Sequence, residues 1–209
     1  MYDVLIIGAG VTGASAARRL SRYKLDIAIL EMEDDVSMGA SKANSAIIHG
    51  GYAESHDELR GRICYPGRLQ FDKLDEELNF GFLKNGSIVI AFDEEDKKSL
   101  DKLHQQGLEN GLDDMEILDQ EQLRELEPNI SDDAVAALYC KGAGVCSPYE
   151  YVIALVENAV DNGAELFLKT KVNGIEKKDD HFIVRSEDGK EFEAKYFRTG
   201  RSQCIKTYN

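Results

Sequence analysis

Gly8, Gly10 and Gly13 are spaced G-x-G-x-x-G between the apolar run Val4-Leu5-Ile6-Ile7 and a segment of helical pattern beginning at Val11. Each glycine answers a separate demand of pyrophosphate binding. Gly8 permits the tight turn, Gly10 lets the backbone approach the phosphates, and Gly13 lets helix and strand pack closely, with the N-terminal N–H groups of the helix facing the anion. Glu31 closes the next apolar run, at about the 20-residue separation where a carboxylate accepts hydrogen bonds from ribose hydroxyls and repels a 2′-phosphate. The chemistry these residue types support is dinucleotide binding. A glycine-rich turn in an α/β protein that binds no nucleotide would also show the glycines, but it has no need of the strand, helix and acid together.

The stretch 37–52 is small, polar and glycine-bearing, with one apolar pair, Ile47-Ile48. Within it, Gly39-Ala40-Ser41-Lys42-Ala43-Asn44-Ser45 offers hydroxyls, an amide and backbone N–H groups. A flavin dinucleotide is longer than its first nucleotide pocket, and its second phosphate and ribityl chain need donors just beyond the second strand, so this loop favours FAD over NAD. The same composition suits a polar surface loop.

The elements that would hold these residues follow from the pattern. Residues 3–7 and 25–30 are short apolar runs, as in strands buried on both faces, and residues 11–23 between them are helical. Residues 58–79 are helical, with an interruption predicted at Pro66-Gly67. A strand over 87–92 precedes a helix capped by Asp93 and stopped by Gly111. Asp119 with Gln122 is a capping-box variant before Pro128, and 134–139 is a strand candidate. Ser147-Pro148-Tyr149-Glu150 is a helix start, and Val152, Leu155, Val156, Ala159 and Val160 share one face before Gly163. Strands are predicted over 165–172, 181–185 and 191–197, the last two joined by Asp188-Gly189. The fold class is therefore α/β: an FAD/NAD(P)-binding Rossmann-like domain with a parallel sheet and a β-meander. It is assigned to 1–75 and 143–197, and is interrupted by part of an α+β substrate domain at 76–142.

The chain has 209 residues, 43% of them apolar, with 25 basic and 39 acidic side chains and a formal charge of −14. This length buries a real core, hiding roughly 70% of the unfolded surface. The acidic balance disfavours nucleic acid and anionic lipid. Cys64, Cys140, Cys146 and Cys204 show no C-x-x-C spacing, which suits reduced thiols, a cytoplasmic location and no metal site. The sequence has no apolar run of about 18 residues and opens directly on a strand, so no transmembrane segment or secretion signal is predicted. Arg60, Arg62 and Arg68 cluster in this acidic background; they suit either a phosphate or carboxylate substrate or, preferably, a solvated helix face paired to neighbouring acids.

The strings VLIIGAGVTGASAARRL, ILE, GASKANSAIIHGGY and GVCSPYEYVIALVENAVDNGAE together resemble the D-amino-acid-oxidase-like FAD oxidoreductases. Within these the similarity is greatest to the anaerobic-type glycerol-3-phosphate dehydrogenases and the L-2-hydroxyglutarate dehydrogenases, through SKANS, IIHGGY and the following Leu59-Arg60-x-Arg62-x-Cys64. The resemblance covers about residues 2–197. It implies that Gly8, Gly10, Gly13, Glu31, Ser41, Lys42, Asn44 and Ser45 line FAD, with Val11, Thr12, Met32 and Ala43 in the same segments, and that backbone at Lys171-Val172 meets the adenine. It also implies a role for His49 beside the flavin and substrate, where an imidazole titrating near neutrality removes a hydroxyl proton as hydride leaves. A lone histidine is otherwise more often structural.

The implied reaction is oxidation of a small hydroxy compound, a polyol phosphate such as glycerol 3-phosphate or a hydroxy acid, with electrons passed to a quinone, a partner protein or oxygen. L-2-hydroxyglutarate or amino-acid oxidation is the alternative, and a truncated nucleotide-binding fragment without catalysis is another. The family pattern continues past residue 197 with an apolar I-N-A-A-G-like strand, whereas 198–209 are polar and aperiodic, so the chain reads as a truncated N-terminal part with an atypical tail. That reading predicts an open apolar sheet edge and self-association through it.

Overall fold

The computed structural model describes residues 1–200. In chain order the elements begin β1 (Tyr2–Ile7), α1 (Val11–Leu20), β2 (Ile27–Leu30), β3 (Ile47–Ile48), α2 (Leu59–Arg68) and α3 (Phe71–Leu78). They continue β4 (Ser87–Ala91), α4 (Glu94–Glu109), β5 (Met115–Asp119), α5 (Gln120–Leu126), β6 (Ala136–Cys140) and β7 (Gly144–Val145). The last are α6 (Pro148–Asp161), β8 (Glu165–Phe167), β9 (Val172–Lys177), β10 (Phe182–Ser186) and β11 (Glu191–Thr199).

The chain divides into two compact units, one of Met1–Ser45 with 147–200 and one of Ala46–Cys146. The inserted unit is thus wider than the expected 76–142. The reason is pairing: Ile47 and Ile48 form β3 against Val145 and Gly144 of β7, which ties the segment after Ser45 to the end of the insertion.

The first unit is a six-stranded sheet in the order β8-β2-β1-β11-β10-β9. Strands β8, β2, β1 and β11 run parallel, and β11, β10 and β9 form the antiparallel meander. Leu5, Ala28, Leu30, Val184 and Ala194 are the buried centre on one face, joined by Phe192, whose ring meets Phe167 edge to face. Helix α6 starts as the sequence requires, with the Ser147 hydroxyl accepting the Glu150 N–H at 3.3 Å and Pro148 in the first turn.

Two expectations for this sheet need correction. The strand expected over 165–172 ends at Phe167. Lys169 adopts a left-handed conformation (φ 52°), and Val172 instead begins β9. The edge of β1 is also not open. Strand β11 continues through Arg198 and Thr199 and pairs with Ile6 and Ile7, so the first residues of the expected atypical tail belong to the sheet. Residues 201–209, with Cys204, lie outside the described residues.

The second unit has a three-stranded sheet, β4-β6-β5, all antiparallel. Leu100 of α4 packs with Ala91, Ala136 and Leu138 on one side; Leu123 of α5 packs with Leu118, Ala134 and Ala137 on the other. Asp93 caps α4 by accepting the Glu95 and Asp96 N–H groups at 2.9 Å, and Asp119 with Gln122 forms the full capping box of α5. The break in the 58–79 helix falls at Leu69-Gln70 and not at Pro66-Gly67. The turn containing Pro66 stays helical, and the Leu69 N–H still reaches the Tyr65 carbonyl at 3.1 Å. Among the described residues no helix is long and apolar enough to cross a membrane, and no cluster of His, Cys, Asp or Glu could hold a metal ion.

Candidate functional site

Strand β1 delivers Gly8 to the carboxyl end of the parallel sheet, where φ of 99° demands glycine and its N–H donates to the Leu30 carbonyl at 2.7 Å. The chain then turns into α1. A Cβ on Gly13 would sit 1.9 Å from the Gly8 carbonyl oxygen, so the helix lies directly on the turn. The Gly10 N-cap has no side-chain cap, and the first turn of α1 carries no acid, leaving its positive end uncompensated from within the helix.

Glu31 leaves β2 only 8% exposed, and its carboxylate is aimed back at this turn. Oε2 accepts the Ala9 N–H at 2.7 Å and Oε1 accepts the Glu33 N–H at 3.1 Å. Each oxygen keeps a lone pair, so the group is pre-oriented and still able to accept from ribose hydroxyls. Its own carbonyl accepts the Thr170 N–H at 2.7 Å, which brings the segment before Val172 to this end of the sheet.

Ser41 reaches the turn from the glycine-bearing loop. Its Oγ accepts the Val11 N–H at 2.9 Å and lies 3.0 Å from where a Gly10 Cβ would be, so the missing side chain at Gly10 is what lets the loop close over the helix end. Asn44 braces the same loop from within, its Nδ2 donating to the Ala40 and Ser41 carbonyls at 3.2 and 2.7 Å. Lys42, with Asp34, Asp35, Met38 and Tyr149, lines an open cleft of about 590 Å³. There Tyr149 donates to Asp35 at 2.8 Å, and that bond, followed by the Val36 N–H, holds the Asp35 carboxyl below its usual range.

The structure therefore brings Gly8, Gly10, Val11, Thr12, Gly13, Glu31 and Ser41 to one end of the sheet, with the following residues Met32 and Lys42 to Ser45 on the segments that leave it. Ala43, Asn44 and Ser45 are exposed. Val172 pairs with Ser186 across the meander, and the Lys171 carbonyl already accepts the Glu187 N–H at 2.8 Å.

Sequence reasoning missed Ser37. It is 1% exposed, in a left-handed conformation (φ 62°), and its N–H donates to the Ala9 carbonyl at 3.1 Å. Its hydroxyl is buried with no hydrogen-bond partner among the described residues. An orphaned buried hydroxyl beside a turn whose Gly10 position must stay bare fits a polar group bound there. Gly200 was missed as well: its N–H donates to the Ile7 carbonyl at 2.7 Å, and a Cβ on it would meet the Gly8 oxygen and Gly13 nitrogen. No local pattern marks either residue.

His49 belongs to the second unit, where it is exposed and no hydrogen bond or ion pair engages its imidazole among the described residues. The three arginines do not form one anion site. Arg60 pairs with Glu54 at 3.3 Å and with Glu58. Arg68 is buried, pairing with Asp114 at 2.8 Å and donating to the Cys140 sulfur at 3.1 Å. Burial works against the Arg68 charge, but the Asp114 carboxylate more than offsets it and holds the guanidinium above its ordinary range. Burial likewise pushes the Cys140 thiol up.

The family model described as FAD dependent oxidoreductase matches residues 3–198. A glycerol 3-phosphate dehydrogenase from Caloramator mitchellensis is 48% identical over 189 residues, covering 90% of this chain and 39% of its own length. A glycerol 3-phosphate oxidase from Mycoplasma genitalium is 33% identical over 186 residues, covering 87% of this chain and 48% of its own. Among solved structures, the dithionite-reduced L-alpha-glycerophosphate oxidase from Mycoplasma pneumoniae with FAD bound matches with a TM-score of 0.85 and 28% identity, over 95% of this chain and 52% of that one. The chain thus spans about half or less of the length of these relatives.

Proposed function

Because the chain belongs to the family of FAD-dependent oxidoreductases, we propose that it binds FAD at the carboxyl end of β1 and serves the oxidation of glycerol 3-phosphate. The observation that carries this reading is the convergence of the bare Gly10 position, an α1 N-terminus that Gly10 leaves without its own side-chain cap, and the pre-oriented Glu31 carboxylate. The substrate class rests on the 48% identity to a glycerol 3-phosphate dehydrogenase.

In this reading the Thr12 and Gly13 N–H groups at the start of α1 and the Ser41 hydroxyl, itself held by the Val11 N–H, hold the pyrophosphate, and Glu31 accepts from the adenosine ribose. When bound, FAD supplies a two-electron acceptor for the hydride of the substrate carbinol carbon. His49 accepts the proton of the substrate hydroxyl as that carbon becomes a carbonyl, and the imidazole then returns the proton to solvent. An exposed ring, without a hydrogen bond or ion pair among the described residues, is available for that task.

The test is direct. Flavin absorbance in the purified protein, followed by its bleaching under anaerobic glycerol 3-phosphate, supports the reading; bleaching by L-2-hydroxyglutarate or an amino acid alone reassigns the substrate. Protein that takes up no FAD overturns it. His49→Asn is expected to keep flavin bound and to slow its reduction by about 10²- to 10⁴-fold; unchanged reduction returns His49 to a structural role.

Glu31→Ala is expected to weaken FAD binding by about 1.5–3 kcal/mol, the value of hydrogen bonds to a charged group. It also strips the Ala9 N–H of its acceptor, so the urea midpoint should fall. A fluorescence-quenching titration that finds the affinity unchanged removes Glu31 from the site.

A further inference from the structure

His49 is followed by Gly50 and Gly51, a pair with the greatest backbone freedom of any residues, and yet both are buried. Gly51 sits at φ 110°, and a Cβ there would meet Tyr65 at 3.1 Å. A Cβ on Gly50 would come within 2.7 Å of the Cys140 sulfur. The segment therefore threads a passage that only glycine fits, and its carbonyls lose water on entering it. A buried carbonyl without a donor is costly, so the donors that meet this segment decide its path.

Those donors come from the end of α4. Asn110 is the C-cap of that helix, 8% exposed, with Gly111 at φ 89° turning the chain away. Its Nδ2 donates to the Gly51 carbonyl at 2.9 Å and to the Glu54 carbonyl at 2.7 Å. Two carbonyl acceptors fix the orientation of the carboxamide, so Oδ1 faces the His56 Nδ1 at 3.2 Å and that nitrogen carries the proton. One turn earlier, Gln106 donates to the Tyr52 carbonyl at 2.8 Å. Gly107 between them lets Tyr52 close on the helix, since a Cβ there would meet the Tyr52 Cβ at 3.0 Å.

We infer that Asn110 is the positioning residue for His49: its carboxamide, bridging Gly51, Glu54 and His56, sets the backbone path from which the imidazole projects. This rests on the reading of His49 as the proton acceptor, but the anchoring stands on its own geometry. Asn110 touches neither substrate nor cofactor in this role. Its effect on chemistry passes through the placement of His49, where misplacement by about 1 Å costs on the order of 10²-fold in rate.

The experiment uses the FAD-loaded protein with Asn110→Leu, which keeps the branched heavy-atom skeleton and removes both donors and the acceptor facing His56, and Gln106→Met, which removes one donor from a half-buried site. Leu123→Ala, in the apolar cluster around α5, is the control for lost stability alone. Asn110→Leu should move the NMR shifts of the Gly50 and Gly51 amides and of the His49 ring. It should lower kcat for glycerol 3-phosphate by about 10- to 100-fold with a smaller change in KM and full flavin content. Gln106→Met should shift the same resonances less, and it carries the test if Asn110→Leu does not fold. Leu123→Ala should lower the thermal midpoint and leave the resonances and the kcat-to-KM split alone. The proposal is overturned if either donor variant leaves the Gly50, Gly51 and His49 resonances as in the parent, or if Leu123→Ala moves them equally. If His49→Asn reduces flavin at the parent rate while Asn110→Leu still moves the amides, the catalytic reading fails and the anchoring does not.

Discussion

Gly13→Ala is expected to eliminate FAD binding and to destabilise the first unit by about 3 kcal/mol or more, at or beyond the upper end for overpacking. The new Cβ would stand 1.9 Å from the Gly8 oxygen and 3.2 Å from the Ile6 Cγ2, and the nearest obstacle is backbone that cannot swing aside. Relief requires α1 to lift from β1, which opens the turn where the phosphates are proposed to bind. Gly39→Ala is the matched control: a Cβ there meets nothing within 4 Å, so stability should change by less than about 0.5 kcal/mol. Flavin content and the urea midpoint of both variants decide the matter. A Gly13→Ala protein that keeps FAD and its midpoint would show that α1 is not set by this contact.

Asp114→Ala is expected to cost about 3–5 kcal/mol by stranding the Arg68 guanidinium, whose side chain is 4% exposed. The loss comes from the uncompensated charge more than from the pair itself. The double variant Arg68→Met, Asp114→Leu should therefore be much more stable than Asp114→Ala. Chemical denaturation of the three proteins tests this, and a single variant no worse than the double would mean that Arg68 finds solvent or another partner. Tyr65, whose ring lies 4.8 Å from the guanidinium carbon, cannot replace the carboxylate.

The parts of the fold legible in the sequence are those specified locally. The glycine spacing with Glu31 located the strand-to-helix turn at the carboxyl end of β1 and the carboxylate that faces it. Asp93, the Asp119–Gln122 box and Ser147-Pro148 located three helix starts, because a cap is a contract between residues a few positions apart. Strands too short or too weakly patterned to show a period, and held only by distant partners, were not legible. Ile47-Ile48 and Gly144-Val145 are too short to show a period and exist through each other. Met115–Asp119 becomes β5 because β6 stands beside it. The division of 165–172 turns on one left-handed lysine, Lys169, a conformation its residue type does not advertise. Arg198 and Thr199 lack the apolar pattern of a strand and are held by the backbone of β1. In the second unit, the role inferred for Asn110 was hidden for the same reason: a helix-ending Asn-Gly reads as punctuation until the carbonyls it meets are known.

Strand β1 has consequences for the order in which the protein is made. It is bordered by β2 on one side and by β11 on the other, where Ile7 pairs with Thr199. The residues that form the glycine turn are synthesised before their second border, which follows almost 200 residues later. At about 5–20 residues per second this leaves an apolar strand half-paired for roughly 10–40 s. During that interval the turn has α1 and β2 but not the Gly200 N–H that closes on Ile7. Closing so long a loop is entropically expensive and slow relative to local helix formation. The inserted unit, whose sheet spans only 87–140, can complete its pairing earlier. Nascent chains should thus complete the second unit's sheet before β11 closes on the glycine turn.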